Sequence, residues 1–304
     1  MASRKHWSGG MISVIVFSKD RALQLDLTLN SIKRNFKQAS EVLVIFQTST
    51  EHVQSYQILQ KEYPDTHFIP QSEEDNGGLF GDIEKAISNA RQEYICFFTD
   101  DDIVYSPVEF GVSALEGLFQ NPWTRNGAHF SCLSLRLGSN IRKRDYGDGI
   151  LRDDNMPLRE RNDPFLTWNR TTIPVGGYWS YPLSVDGHVF RKKDVRQFAK
   201  ELNILNSSGA FDWKQTPNEF EAKLQRFWFD IPPLMASVKT SCVVNSPNNR
   251  VQDTIENRHG DEFSYDAQFL NEKFLGGHRI NIDHIDFPEI VCPHQELDIL
   301  RGLI

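Results

Sequence analysis

Short apolar runs, each separated from the next by a polar turn and a segment of helical spacing, fill the first hundred residues of the chain. Met11–Phe17 is almost continuously apolar, the pattern of a strand covered on both faces. Ser18-Lys-Asp-Arg21 follows as a polar turn, and Leu23, Leu25, Leu27, Leu29 and Ile32 then mark a helix over 22–35. A second strand over Glu41–Phe46 runs into Gln47-Thr-Ser-Thr50; a helix is expected over 51–63, and His67-Phe-Ile69 reads as a short third strand. Asn76-Gly-Gly78 breaks the chain before a helix over 80–91. The next apolar run begins at Tyr94 and ends abruptly in Asp100-Asp101-Asp102. This alternation predicts an α/β fold with a mostly parallel, Rossmann-like central sheet, flanking helices and right-handed crossovers. Ligands of such sheets bind at the carboxyl ends of strands, which is where 18–21, 47–50 and 100–102 fall.

Beyond Asp102 the pattern loosens. A helix over 107–118 and a strand over 129–137 precede a long polar stretch, 138–172, that carries Arg142, Lys143, Arg144, Arg152, Arg159, Arg161 and Arg170. A segment of that length without secondary structure reads as a functional lid or as disorder. Pro174–Phe190 regains aromatic, strand-like character, and a helix over 191–205 follows. Thr216-Pro-Asn-Glu219 is a capping box with proline in its preferred first position, opening a helix to about residue 229. A strand over 239–245, a loop over 246–253, a helix over 265–275 and a final strand over 279–285 complete the expectation. There are no repeats or Pro/Ser linkers. The organisation expected is a disordered leader over 1–10 and one domain over 11–304, in two halves joined near Asp102.

With 304 residues the chain can bury a sizeable core. A net charge of -8 argues against a nucleic-acid partner, because neutralising a phosphate backbone needs a basic face. No run approaches the roughly 18–20 apolar residues of a membrane span, although peripheral contact with a membrane remains compatible. The leader has Arg4, Lys5 and His6 but no apolar core of a signal peptide. Cys96, Cys132, Cys242 and Cys292 are widely spaced with no CxxC pair, which points to a reduced, cytoplasmic compartment and away from a zinc site.

The three aspartates are the strongest chemical signal. Adjacent carboxylates repel unless water or a cation compensates them. On extended backbone Asp100 and Asp102 would face one way and Asp101 the other, an arrangement suited to a hard divalent ion that also touches phosphate oxygens. A solvated acidic turn or a helix cap is the plainer reading of an isolated Asp-Asp-Asp. Together with Val14–Ile32, Asn76-Gly-Gly, Ala86, Ala90 and Glu93-Tyr-Ile, however, the motif resembles the nucleotide-sugar half of GT-A-fold glycosyltransferases, and most closely glycosyltransferase family 2. That resemblance covers the first third of the chain. It implies a nucleotide-binding half over 11–105, an acceptor half over 106–240, and a C-terminal lid and helix over 241–304. It implies that Asp102 ligates Mn2+ or Mg2+ on the donor diphosphate, with Asp100 near the ribose or the metal and Asp101 in the same turn. Phe17, Ser18, Lys19, Arg21, Gln47, Asn76 and Asp82 would line the nucleotide-sugar pocket. The second strand ends Phe46-Gln-Thr-Ser49, where the family carries acids that contact the base. No P-loop and no properly placed G-x-G-x-x-G occurs, which disfavours P-loop kinases and dinucleotide dehydrogenases.

The implied reaction moves a sugar from a nucleotide-diphospho-sugar to a glycan or other hydroxyl acceptor, with inversion, and so requires a general base. Glu221 is the first candidate. Glu219 has a ready explanation as the capping residue, and Asp186 in Val-Asp-Gly-His188 equally suits an Asp-Gly turn. Trp179, Tyr181 and Trp213 could stack on sugars or fill the core. Arg250, and less strongly Arg258, could clamp a diphosphate. Among His278, His284 and His294, His284 is the preferred third metal ligand. A retaining GT-A enzyme, a nucleotidyltransferase making an activated sugar, and a non-catalytic carbohydrate- or Ca2+-binding module are the alternatives. The nucleotidyltransferase is disfavoured by the lack of glycines in Ser18-Lys-Asp-Arg21.

Overall fold

The computed structural model describes residues 10–120, 129–145, 150–154, 156–157, 160–162, 164–251 and 260–304. The expected leader, apart from Gly10, and Arg159 and Arg258 lie outside the described residues. The first half follows the apolar pattern closely: β1 (Ile12–Lys19), α1 (Ala22–Asn35), β2 (Ala39–Gln47), α2 (Val53–Glu62), β3 (Thr66–Pro70), α3 (Gly78–Asn89) and β4 (Tyr94–Thr99). Gly77 and Gly78 have φ of +98° and +56°, which side chains with a Cβ adopt at a cost, so this break before α3 depends on glycine. After a two-residue turn at Asp100 and Asp101 come β5 (Asp102–Val104), α4 (Val112–Gln120) and β6 (Phe130–Ser134). Then follow β7 (Lys143–Asp145), β8 (Leu151–Asp153), β9 (Glu160–Asn162), β10 (Phe165–Asn169), β11 (His188–Arg191), α5 (Lys192–Ser207) and α6 (Pro217–Leu224). β12 (Leu234–Val238), β13 (Val243–Asn245) and α7 (Ala267–Leu275) close the series.

The main sheet has the order β3-β2-β1-β4-β11-β6-β12-β10-β9 among the described residues. All but β11 and β10 run in one direction, as the pairings require. The expected mostly parallel sheet is therefore present. β11 slots in antiparallel between β4 and β6, with Val189 opposite both Cys96 and Leu133. β5 and β13 form a separate ribbon beside the sheet, and α1 packs on β5. The core is aromatic where the two halves meet. Phe97 of β4 stacks on Phe17 of β1 and touches Phe190 of β11 and Phe220 of α6, and Phe220 also meets Phe80 of α3 edge-on. Burying Phe220 fixes the rotation of α6, and with it the direction of the side chains beside it.

Several boundaries differ from the pattern-based expectation. The helix expected from 107 starts at Val112, beyond Pro107 and Gly111. The stretch 138–172 is not structureless where it is described, since it holds the β7–β8 hairpin and strands β9 and β10. The strand expected over 239–245 forms only over its last three residues, as β13, which pairs with β5 outside the main sheet; β12, just before it, was not expected, hidden from a pattern reading by Pro232-Pro233. The final strand over 279–285 does not form. The Asn281 side chain accepts the Asp283 N–H at 3.0 Å, a local turn that outcompetes extension and leaves one bridge, Ile280 to Leu303. The helix from Thr216 is α-helical only to Leu224 and continues as a 3-10 turn.

The Thr216 cap forms as expected, its hydroxyl accepting the Glu219 N–H at 3.3 Å. Thr216→Ala should therefore destabilise the protein by about 1 kcal/mol. The check is chemical denaturation: a lower midpoint with an unchanged denaturant slope is expected.

Candidate active site

A cavity of about 700 Å³ opens at the carboxyl ends of β1, β2 and β4 and extends under α6 and the C-terminal segment. That is ample for a drug- or nucleotide-sized ligand. On one wall stand Phe17, Ser18, Lys19, Arg21, Gln47, Asp100, Asp101 and Arg250; on the other Arg136, Tyr178, Tyr181, Asp186, Glu221 and His294.

The first wall is built by a strained turn. Asp20 is the one non-glycine with positive φ among the described residues, at +52°, and its carboxylate accepts the Ser49 N–H at 2.7 Å. Aspartate tolerates this conformation better than most residues. The turn points the Ser18 hydroxyl and the Lys19 N–H at Asp100 Oδ2, at 2.8 and 3.1 Å. It also brings Arg21 Nη1 to Asp100 Oδ1 at 2.9 Å and to Asp101 Oδ2 at 3.0 Å. Arg21 Nη2 donates to the carbonyl of Asn249, tying the turn to the loop after β13. Thr28 of α1 holds the backbone carbonyls of Asp100 and Asp102 at 2.9 Å.

The three aspartates do not alternate as an extended strand would make them. Because Asp100 and Asp101 form a turn, both reach the cavity and share Arg21, whereas Asp102 starts β5 and points inward. Asp102 is fully buried; its carboxylate accepts the Thr99 N–H at 2.8 Å and lies 3.2 Å from Asn245 Nδ2, which also reaches Asp101 Oδ1 at 2.9 Å. Burial pushes Asp100 up to about 6, against the pull of Arg21. Burial, then the nearby charges of Asp186 and Asp101, hold Asp102 well above the ordinary carboxylate range.

Among the described residues no group of three or more histidine, cysteine, aspartate or glutamate side chains is disposed to hold a metal. The donors present are hard carboxylate oxygens, Asp101 at the cavity and Asp102 behind it. Such a set fits Mg2+ or Mn2+, which can draw most of their coordination from substrate phosphates and water. It does not fit a structural zinc centre, which needs four protein ligands.

The second wall centres on Asp186 and Glu221. Asp186 precedes Gly187 in the Asp-Gly turn before β11, with Gly187 at φ +65°, so the turn and the site are the same feature. Arg136 Nη1 lies 2.8 Å from Asp186 Oδ2, and His294 Nε2 lies 3.3 Å from the same oxygen. Burial alone would raise the Asp186 carboxyl, but His294 and Arg136 together hold it down at about 2. Glu221 accepts the Val185 N–H at 3.2 Å, and burial, followed by the Asp186 charge, pushes it up to about 7. His188, buried and held by the Pro182 carbonyl, falls to about 3 through burial and the Arg136 charge and stays neutral.

The cavity thus gathers Phe17, Ser18, Lys19, Arg21, Gln47, Asp100, Asp101, Arg250, Asp186 and Glu221. Other candidates lie elsewhere. Glu219 does not close the expected capping box: its N–H donates to the Thr216 hydroxyl, but its carboxylate pairs with Lys223 at 3.0 Å, outside the cavity, and the Thr216 N–H goes to the Lys214 carbonyl. Asp82 is buried beneath the loop after β3, accepting the N–H and hydroxyl of Ser72. Asn76 is exposed in a 3-10 turn and does not reach the cavity. His284 is an exposed residue of the 282–284 turn, beside the Arg34–Asp283 pair, and among the described residues the histidine in the cavity is His294. His278 is exposed and binds the Ile304 carbonyl. Trp179 packs on Trp168, and Trp213 lies between Phe80 and Phe211, so of the three aromatics only Tyr181 faces the cavity, joined by Tyr178. Arg136, Tyr178 and Asn245 escaped the sequence reading. A charged residue between the buried Leu135 and Leu137 was the available signal for Arg136.

Residues 13–109 match the family model described as Glycosyl transferase family 2, which is the family the sequence resembles. No curated protein matches the chain. Solved structures to which it is similar include S. aureus TarS, at 12% identity over 77% of this chain and 36% of that one, with a TM-score of 0.42. S. aureus TarS 1-349 is similar at 16% identity, TM-score 0.41, and its complex with UDP at 14%, TM-score 0.43; each pairs 77% of this chain with 59% of the other. The chain therefore spans between 36% and 59% of the length of these structures.

Removing Arg21 would leave the buried Asp100 and the cavity-facing Asp101 without their ionic partner. Arg21→Ala is expected to cost about 3–5 kcal/mol, and Arg21→Lys to recover part of that loss. Denaturation of the three proteins at neutral pH checks it; equal stability of Arg21→Ala and the parent would contradict the assignment.

Proposed function

We propose that the protein is a glycosyltransferase that moves a sugar, a hexose or relative, from a nucleotide-diphospho-sugar to a hydroxyl of a glycan acceptor, with inversion. The observation that carries this reading is the pairing of two unlike walls in one cavity. An acid turn stands at the carboxyl ends of parallel strands, and a carboxyl raised to about 7 lines the same cavity. The family match over 13–109 supports the donor side.

In this reading Ser18, Lys19 and Gln47 receive the nucleoside, and Arg250 meets the diphosphate through its planar guanidinium. Asp101 and Asp102 would hold Mn2+ or Mg2+. When bound, that cation would supply compensation for the negative charge that develops on the departing diphosphate. Glu221, unprotonated, takes the proton of the acceptor hydroxyl as that oxygen attacks the anomeric carbon. Its raised proton affinity makes it a competent base near neutral pH. Tyr178 and Tyr181 offer aromatic faces for the acceptor sugar. A base placed in the cavity favours inversion over a retaining course.

Two outcomes test this. Glu221→Gln should keep nucleotide binding but lose about 10²–10⁴-fold in turnover, measured as nucleoside diphosphate release. A variant as active as the parent would sink the role. In the parent enzyme, kcat/KM should fall as pH drops below about 7, because the base is then protonated. A thermal-shift panel of nucleoside diphosphates and nucleotide sugars, with and without Mn2+, should show metal-dependent stabilisation by one nucleotide class. No response to any of them would count against the whole reading.

A further inference from the structure

Arg136 is a charged side chain where the pattern calls for an apolar one. It follows β6 between two fully buried leucines, and only 4% of its own side chain is exposed. Its Nη1 is the junction of the acceptor wall: 2.8 Å from Asp186 Oδ2 and 3.2 Å from His294 Nε2. The guanidinium lies over the Tyr178 ring at 5.5 Å, and that ring in turn meets His294 edge-on. Its Nε is buried and has no hydrogen-bond partner among the described residues. Burying an arginine with one donor unsatisfied is costly, so a purely structural role accounts for it poorly.

The neighbours of Glu221 show what Arg136 does. From the 178–181 turn come Tyr178 and Tyr181, from the segment before β11 comes Asp186 with His188 of β11 facing it, and from the C-terminal segment comes His294. On its own helix, Glu219 and Lys223 neutralise each other. Glu221 accepts the N–H of Val185, the residue before Asp186, and Thr99 Oγ1 joins Asp186 to the buried Asp102 on the far side, at 3.4 and 3.2 Å. Asp186 and Glu221 are therefore two carboxyls in one buried neighbourhood, with Asp102 a third facing Asp186, and such groups do not all stay ionised without help. His294 and Arg136 both bond to Asp186 and not to Glu221, and Arg136 brings the permanent charge. Building on Glu221 as the base, we propose that Arg136 is a positioning residue: by fixing Asp186 as the ionised partner, it makes Glu221 the carboxyl that gains and loses the proton in the cavity. Without Arg136 the two carboxyls would compete for that proton, and the base would be occupied over a wider pH range.

The test follows the side-chain carboxyl carbons of Glu221 and Asp186 by 13C NMR titration of the full chain. In the parent protein Glu221 should titrate alone near neutrality, while Asp186 stays ionised. In Arg136→Gln the first proton should bind at higher pH, by about one unit or more, and both carbons should respond to it; the acid limb of kcat/KM should move with it. Arg136→Lys, which keeps the charge, should stay closer to the parent. The inference is overturned if Glu221 still titrates alone at the parent midpoint in Arg136→Gln, or if the lysine variant shifts as far as the glutamine one. Should Arg136→Gln fail to fold, Asp186→Asn serves instead. It should lower the Glu221 midpoint by about one unit, and an unmoved midpoint overturns the inference. The carbon titrations need no substrate. Loss of transfer activity with every donor, alongside the expected shifts, would overturn the proposed reaction and leave this pairing intact.

Discussion

Three neighbouring carboxylates at the end of a buried strand have to be compensated, and the way Arg21 does it organises this half of the molecule. Its guanidinium bridges Asp100 and Asp101 and reaches the Asn249 carbonyl, so one side chain joins the β1 turn, the acid turn and the loop after β13. For Arg21 to arrive there, Asp20 must turn the chain in the left-handed region, held by the Ser49 amide of the next strand's loop. The buried sheet beneath is a scaffold for that arrangement. Its core strands are covered on both faces, so the polar chemistry is confined to strand ends and loops.

The two walls of the cavity treat their carboxyls differently. On the donor side the acids are clustered, partly buried and matched by one arginine, which suits them to share a cation with incoming phosphates. Next to the acid turn through Thr99, Asp186 is held ionised at about 2, while Glu221, pushed up by burial and by that same charge, sits at about 7. Pairs of titratable groups pushed apart by their surroundings are the usual means of obtaining an acid or base that works near neutral pH. The aromatic contact of Phe220 with Phe80 and Phe97 links the walls mechanically, because it sets the helix that carries Glu221.

Much of the donor half was legible in the residue pattern, since each of its strands is an apolar run bounded by a turn and each helix lies between two of them. α1 was expected over its observed span, and Ser18, Arg21, Asp100 and Asp101 were expected at the cavity, where they lie. The orientation of Asp102 was not legible. Alternation holds only on extended backbone, and the chain turns at Asp100 and Asp101. In the second half the sheet is assembled from distant pieces. β11 inserts between β4 and β6, and β12 pairs with β6 across more than a hundred residues, an arrangement that no local period encodes. His294 entered the cavity for the same reason: Pro293 and Gln295 bond to Asn245 of β13, a contact invisible to sequence spacing. His284, more attractive by its acidic neighbours, is spent on a surface turn instead.

The central claim is that the Asp100–Asp102 turn and the wall across from it form a cation-assisted nucleotide site. Calorimetric titration of a nucleoside diphosphate into the parent protein and into Asp101→Asn, with and without Mn2+, tests it most directly. The account predicts binding by the parent that strengthens at least about tenfold with the metal, equivalent to about 1.4 kcal/mol, and loses that dependence in Asp101→Asn. Binding that ignores both the metal and the substitution would contradict it.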